Sequence, residues 1–212
     1  MKIIVSLLLI AFACTTSADG QASSDVAAGI HDQGVETIVC IRHGEKPRRG
    51  LGQLTCRGLN RALALPKVLL AKYGAPQFIF APNPTQKVDL SISKAGYYYV
   101  RPLATIEPTA IRCGLPVNTQ YGFREIRGLE RELQRPEYQD STVFVAWEHV
   151  LLDDFAKNIV KDNGGDPKQV PGWTNDEYDM IFVFKISVEN GQRKFSFTVD
   201  HEGLNGLSDN YP

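Results

Sequence analysis

The sequence predicts a three-layer α/β sandwich: a mostly parallel sheet, helices on both faces and a hairpin along one edge. Three observations carry that reading. Short apolar, β-rich runs at 38–41, 78–81 and 142–147 have the length and composition of buried strands. Helical patterns fall between and after them, which is the alternation of an α/β chain. From Met180 onward, two strand-like runs flank Asn190-Gly191, a strong hairpin signal.

The chain has 212 residues and is 43% hydrophobic, enough for one core and not for two ordinary domains. Lys and Arg number 23 and Asp and Glu 24, a formal charge of −1, which excludes the basic excess typical of a nucleic-acid binder. No stretch after residue 30 approaches the length of a membrane span. Residues 1–18 start basic at Lys2, continue apolar and end in small residues, the pattern of a secretory signal peptide. Cleavage after Ala18 or Ala22 suits the small-residue rule, and a lipid anchor at Cys14 is the alternative. The expected protein is therefore exported, periplasmic or secreted. Residues 19–34 form a flexible lead-in, and 35–212 form the domain.

The first strand, 38–41, stops abruptly in Arg42-His43-Gly44. Ligands of open α/β sheets bind at the carboxyl ends of the strands. An Arg there grips a phosphate through parallel hydrogen bonds, and a neutral imidazole attacks its phosphorus. Gly44 lets the backbone approach closely. The next helix opens behind Thr55 as N-cap, with Leu59, Ala62, Leu63, Leu69 and Leu70 expected on its buried face and Gly74 ending it. Pro66 is expected to kink or split this helix. After the second strand, residues 84–100 carry three consecutive tyrosines, and either roof a pocket or close on themselves as an Ω-like loop.

Arg101-Pro102 starts a helix, with Pro suited to its first turn, and Gly114 closes it before a short strand. A helical segment is expected at 128–133. The run 142–147 is the clearest strand and ends in Glu148-His149, the second polar pair so placed. The following helix covers 150–161. In the hairpin, Phe195, Phe197 and Val199 alternate with Lys194, Ser196 and Thr198, which gives one dry face. His201-Glu202 reads as a solvated tail, with a bend toward a pocket as the alternative. Cys40 reads as a small buried hydrophobe, Cys56 and Cys113 leave a disulfide open, and no Cys/His spacing suggests a metal site.

Ile41-Arg42-His43-Gly44-Glu45 resembles the signature of the histidine phosphatase superfamily, which includes the cofactor-dependent phosphoglycerate mutases. Leu54-Thr55-x-x-Gly58-x-x-x-Ala62 and Arg101-Pro102-Leu103-Ala104-Thr105 resemble two further motifs of that family, the second with Pro where a small residue is usual. The resemblance spans roughly residues 36–187. It implies that His43 is the nucleophile, that Arg42, Arg101 and His149 surround the transferred phosphoryl group, and that the reaction uses a small phosphorylated substrate, with no cofactor or metal. For the proton donor it leaves two candidates. Phe123-Arg124-Glu125-Ile126-x-Gly128 resembles the donor segment of the mutase-like branch and makes Glu125 the first choice, and Glu148 stands beside His149. The expected activity is metal-independent phosphomonoester hydrolysis through a phosphohistidine. The alternative is a non-catalytic phospholigand-binding protein of the same fold.

Fused to a reporter active only outside the cytoplasm, residues 1–30 should give signal. Recovery of the intact chain from the cytoplasm, still starting at Met1, would contradict export.

Overall fold

The structure, a computed structural model, describes residues 33–48, 51–90 and 93–212. The expected signal segment, Cys14 and nearly all of the expected lead-in lie outside the described residues. The chain runs β1 (Gln33–Arg42), α1 (Cys56–Tyr73), β2 (Phe78–Phe80), β3 (Lys87–Leu90), β4 (Ser93–Tyr98), α2 (Arg101–Cys113), α3 (Ile126–Glu132), β5 (Thr142–Trp147), α4 (His149–Asp162), β6 (Met180–Glu189) and β7 (Gln192–His201).

Five strands form one sheet in the order β2-β5-β1-β6-β7. β2, β5 and β1 are parallel, and β6 and β7 add an antiparallel edge. The period-2 alternation of β1 explains the layers. Ile38 and Cys40 point to a core shared with α3 and α4, while Val39 and Ile41 point to a second core shared with α1 and α2. β5 divides the same way, with Val143, Val145 and Trp147 on one side and Phe144 and Ala146 on the other. A mixed sheet between two helical layers is what the sequence predicts. No helix among the described residues is long and apolar enough to cross a membrane.

Several local expectations need correction. β1 is longer than its apolar run and takes in residues 33 and 34, because β6 pairs with it from Gln33 onward. Pro66 sits within a single continuous α1, whose N-cap Thr55 accepts a hydrogen bond from the Gly58 N–H. The buried stripe of α1 is Gly58, Arg61, Ala62, Leu65 and Leu69, so Leu63, a 100° step past Ala62, faces solvent. Residues 84–100 do not close on themselves as an Ω-like loop, since β3 and β4 pair as their own two-stranded ribbon. The strand expected after Gly114 is reduced to a bridge between Phe80 and Asn118. Asn190 and Gly191 both take positive φ, as the β6–β7 turn requires, but the dry face of β7 stops at Phe197, with Val199 exposed. Cys56 and Cys113 are both free thiols.

The tail after β7 is mostly exposed, as expected, but Glu202 is not. Glu202 is 4% exposed and pairs with Arg61, a guanidinium with no exposed surface. Arg61 also holds Glu45 through two hydrogen bonds, Nε to Oε2 at 3.0 Å and Nη2 to Oε1 at 2.8 Å. Asp179 lies 3.6 Å from the same guanidinium. One arginine on α1 thus joins the loop after β1 to the C-terminal tail. Three carboxylates around one cation leave an excess of negative charge. Burial, with Asp179 and Glu45 adding repulsion, pushes the Glu202 carboxyl up to about 8 despite the opposing pull of Arg61.

A carboxyl whose folded pKa is raised favours folding below its ordinary value and loses that contribution as pH rises through the folded one. The stability of the wild type relative to Glu202→Gln should therefore decline from about pH 4.5 to about pH 8. Denaturant midpoints measured across that window test this, and a flat difference would refute the buried-carboxyl assignment.

Candidate active site

The site begins as a matter of register. β1 and β5 run parallel with Arg42 opposite Trp147, and the ladder continues one step further, with His43 N–H donating to the Trp147 carbonyl at 3.0 Å. The first residues beyond the two strands are therefore neighbours. His43-Gly44 leaves one strand where Glu148-His149 leaves the other.

Arg42 has no exposed surface. Its Nη1 donates to the backbone carbonyls of Thr174 (3.0 Å) and Glu177, and its guanidinium carbon lies 3.9 Å from the Tyr178 ring centroid. Trp173 anchors that segment, with its N–H on the Asp153 carboxylate at 3.0 Å and its indole N–H on the Glu177 carbonyl at 2.9 Å. The remaining edge of Arg42, Nε and Nη2, is buried and has no hydrogen-bond partner. Those two donors form the parallel fork that fits two phosphate oxygens.

His43 is 1% exposed. Its Nδ1 lies 2.7 Å from the Gly44 carbonyl oxygen. A carbonyl accepts only, so the proton resides on Nδ1 and the lone pair on Nε2. Burial, reinforced by Arg101 and then Arg42 and Lys46, holds the imidazole well below its usual pKa against the Gly44 contact. The result is a neutral imidazole with an available lone pair among cations.

Close backbone packing fixes the loop. A Cβ on Gly44 would lie 2.9 Å from the Gly58 carbonyl, and one on Gly58 would lie 2.5 Å from the Glu45 carbonyl. Two glycines thus let α1 meet the loop backbone to backbone. Gly44 N–H donates to Thr105 Oγ1 at 2.9 Å, and that hydroxyl donates to the Arg101 carbonyl at 2.8 Å. The fifth residue of the Arg101–Thr105 motif therefore ties the start of α2 to the loop after β1.

Arg101 is 4% exposed, and its guanidinium carbon lies 4.6 Å from the Tyr99 ring centroid. The Tyr99 ring also meets His43 edge-on at 6.0 Å and Phe123 at 4.8 Å. Of the three tyrosines, Tyr99 thus enters the site while Tyr98 stands outside. The half-buried Lys46 has its pKa lowered by burial and by the charges of Arg42 and Arg101. Lys46, Tyr99 and Tyr178 are site residues that the sequence reading did not assign. The run of tyrosines was the one visible signal, because a lone Lys or Tyr in a loop carries none.

Glu148 caps α4, its carboxylate accepting from the Leu151 N–H at 3.1 Å, and approaches His149 Nδ1 to 2.6 Å. Burial raises the Glu148 pKa, but the contacts to His149 and to the Leu151 and Val150 N–H groups outweigh it and leave the carboxyl below its ordinary value. Its charge acts on Arg42, Lys46 and Tyr99, so Glu148 faces the site. Glu125 is exposed and folds back onto the Gly122 N–H at 2.6 Å. No described contact brings it to His43, Arg42, Arg101 or His149. The structure gathers Arg42, His43, Arg101 and Glu148, sets His149 against Glu148, and leaves Glu125 apart.

No protein-family model and no curated protein matches the sequence at a significant level. Solved structures do match. A SixA protein of Nakamurella multipartitia, assigned as a phosphohistidine phosphatase, superposes with a TM-score of 0.51 at 16% identity over 79% of this chain and 96% of its own. A mycobacterial glucosyl-3-phosphoglycerate phosphatase superposes with a TM-score of 0.50 at 15% identity over 78% and 97%. The chain has the fold of these phosphatases.

The geometry makes a spectroscopic prediction. In ¹⁵N spectra at pH 6, His43 should be neutral with its proton on Nδ1. A depressed histidine pKa means the unfolded chain binds the proton more readily, so this contribution to stability is complete above about pH 6.5 and is lost as pH falls below it. An imidazolium at position 43 at pH 6 would contradict the assignment.

Proposed function

We propose that the chain is a phosphohydrolase of the histidine phosphatase superfamily, cleaving a small phosphomonoester through a phosphohistidine on His43. The observation that carries this reading is the buried, unpartnered Nε/Nη2 fork of Arg42 beside a neutral imidazole whose Nε2 holds the lone pair. The names of the structural neighbours, both phosphatases, support it. So does the resemblance of the Arg-His-Gly and Arg101–Thr105 motifs. Residues 1–18 place the enzyme outside the cytoplasm in this reading.

In the first step the His43 Nε2 lone pair forms a bond to phosphorus as the phosphorus–oxygen bond to the leaving group breaks. Charge spread over the equatorial oxygens is met by Arg42, Arg101, Lys46 and His149, so the work is positioning and electrostatic stabilisation. The two guanidiniums and the Lys46 ammonium supply the positive charge the transition state needs, and turnover is expected to persist with a chelator present. The departing oxygen takes a proton from Glu148. In the second step the Glu148 carboxylate accepts a proton from water, the water oxygen bonds to phosphorus, and the bond to His43 breaks. Glu148 is ionised in the free protein, and a phosphate dianion arriving beside it raises its proton affinity by like-charge repulsion.

The low pKa of Glu148 is also the one observation that favours the second reading, a phospholigand-binding protein without turnover. Leaving groups separate the two. A true acid matters most when the leaving group is poor. Glu148→Gln should therefore slow alkyl phosphate hydrolysis on the order of 10²–10⁴-fold and slow phosphorylation by an activated aryl phosphate much less. Glu125→Gln should leave both near wild type. Leaving-group dependence at Glu125 instead would return the donor role there. Binding of phosphate esters without hydrolysis of any in a broad panel would establish the second reading.

A further inference from the structure

At the end of the sheet opposite the candidate site lies a cavity of about 580 Å³, between the start of β1, the end of α4 and the end of β6. Its lining is mixed: Ile38, Leu133, Ile159, Ile186 and Val188 supply an aliphatic part, and polar and charged side chains supply the rest. Glu36 lines it. That side chain is 5% exposed, and its Oε1 is buried with no hydrogen-bond partner. A buried carboxyl oxygen without a partner is costly and calls for an explanation.

The surroundings indicate which ligand would supply one. Asp162 is the last residue of α4 and lines the cavity together with Asn163, the helix cap. The carboxyl end of a helix carries partial negative charge and favours cations. Arg193 is the basic residue among the described lining, but its Nε is spent on Asn163 Oδ1 at 2.6 Å, and it makes no described hydrogen bond to Glu36. An anion would meet Glu36, Asp162 and the helix end. A wholly apolar ligand would leave Glu36 unpaired. A cation with a short aliphatic body satisfies the carboxyl and covers the aliphatic part of the lining.

We infer that this cavity is a binding site for a small organic cation, an alkylammonium whose nitrogen donates to Glu36 while its carbon chain lies against the three isoleucines. Burial pushes the Glu36 carboxyl up to about 7 against the pull of Arg193, so a cation entering the cavity meets a group that it can convert to the carboxylate. Glu36 and the Arg42-His43 pair stand at opposite ends of β1, on the order of 20 Å apart at strand rise. The inference is thus independent of the phosphatase reading.

The full chain, isotopically labelled at isoleucine methyls, is titrated with n-butylammonium and separately with the neutral 1-butanol. Butylammonium should shift the methyls of Ile38, Ile159 and Ile186 saturably, and butanol should bind at least about tenfold more weakly, as expected for loss of a charged hydrogen bond. Glu36→Gln should weaken butylammonium binding by a similar factor. Absence of saturable shifts at these methyls, equal binding of the alcohol, or unchanged affinity in a folded Glu36→Gln protein would each overturn the site. The first two comparisons need only the wild type, so the test stands even where the variant does not fold.

Discussion

The pairing of β1 with β5 is the constraint on which the rest of the site depends. Parallel strands in register deliver their carboxyl ends to the same place. With Arg42 opposite Trp147, the residues just beyond the two strands cannot be far apart. A slip of one residue would turn every side chain of β1 to the other face and send Arg42 into the α1/α2 core. The apolar alternation of both strands forbids that slip, since Ile38, Cys40, Val143 and Val145 fill one core and Val39, Ile41, Phe144 and Ala146 the other. Hydrophobic patterning therefore sets the position of the chemistry.

Two fully buried arginines show how the same side chain is put to opposite uses. Arg61 is surrounded by the carboxylates of Glu45, Glu202 and Asp179, so its charge is consumed within the protein. It acts as a fastener between the loop after β1 and the tail, and breaking such a pair from one side costs about 3–5 kcal/mol. Arg42 is held by two backbone carbonyls and a tyrosine face, which orient it without neutralising it. Its charge is left for a ligand. Together with Arg101 and Lys46, it forms a concentration of positive charge that a phosphate relieves.

Much of this was legible in the sequence, for definite reasons. Arg42-His43 and Glu148-His149 each follow an apolar run, and the carboxyl ends of such runs converge in any parallel sheet. Thr105 was visible as part of a motif, and the structure supplies its reason, a hydroxyl linking Gly44 to Arg101. Tyr178 could not be read. It matters because β6 runs antiparallel to β1, which brings the amino end of β6 to the carboxyl end of β1. A hairpin signal shows that β6 and β7 pair with each other, and says nothing of which strand they join. Arg61 was hidden for a related reason: a charged residue on an apolar stripe looks like an interruption until its three acidic partners, from positions 45, 179 and 202, are brought together. Glu125 shows the reverse case. Its local motif suggested a donor, yet its carboxylate closes a turn on Gly122.

The central claim is that His43 carries the phosphoryl group during turnover. The most direct measurement is to quench the protein with base during hydrolysis of a ³²P-labelled phosphomonoester, then locate the label by peptide mapping. The account predicts acid-labile, base-stable phosphate on the peptide containing His43, absent from a folded His43→Ala protein. Turnover with no trapped label in the wild type, or equal labelling of wild type and His43→Ala, would contradict it.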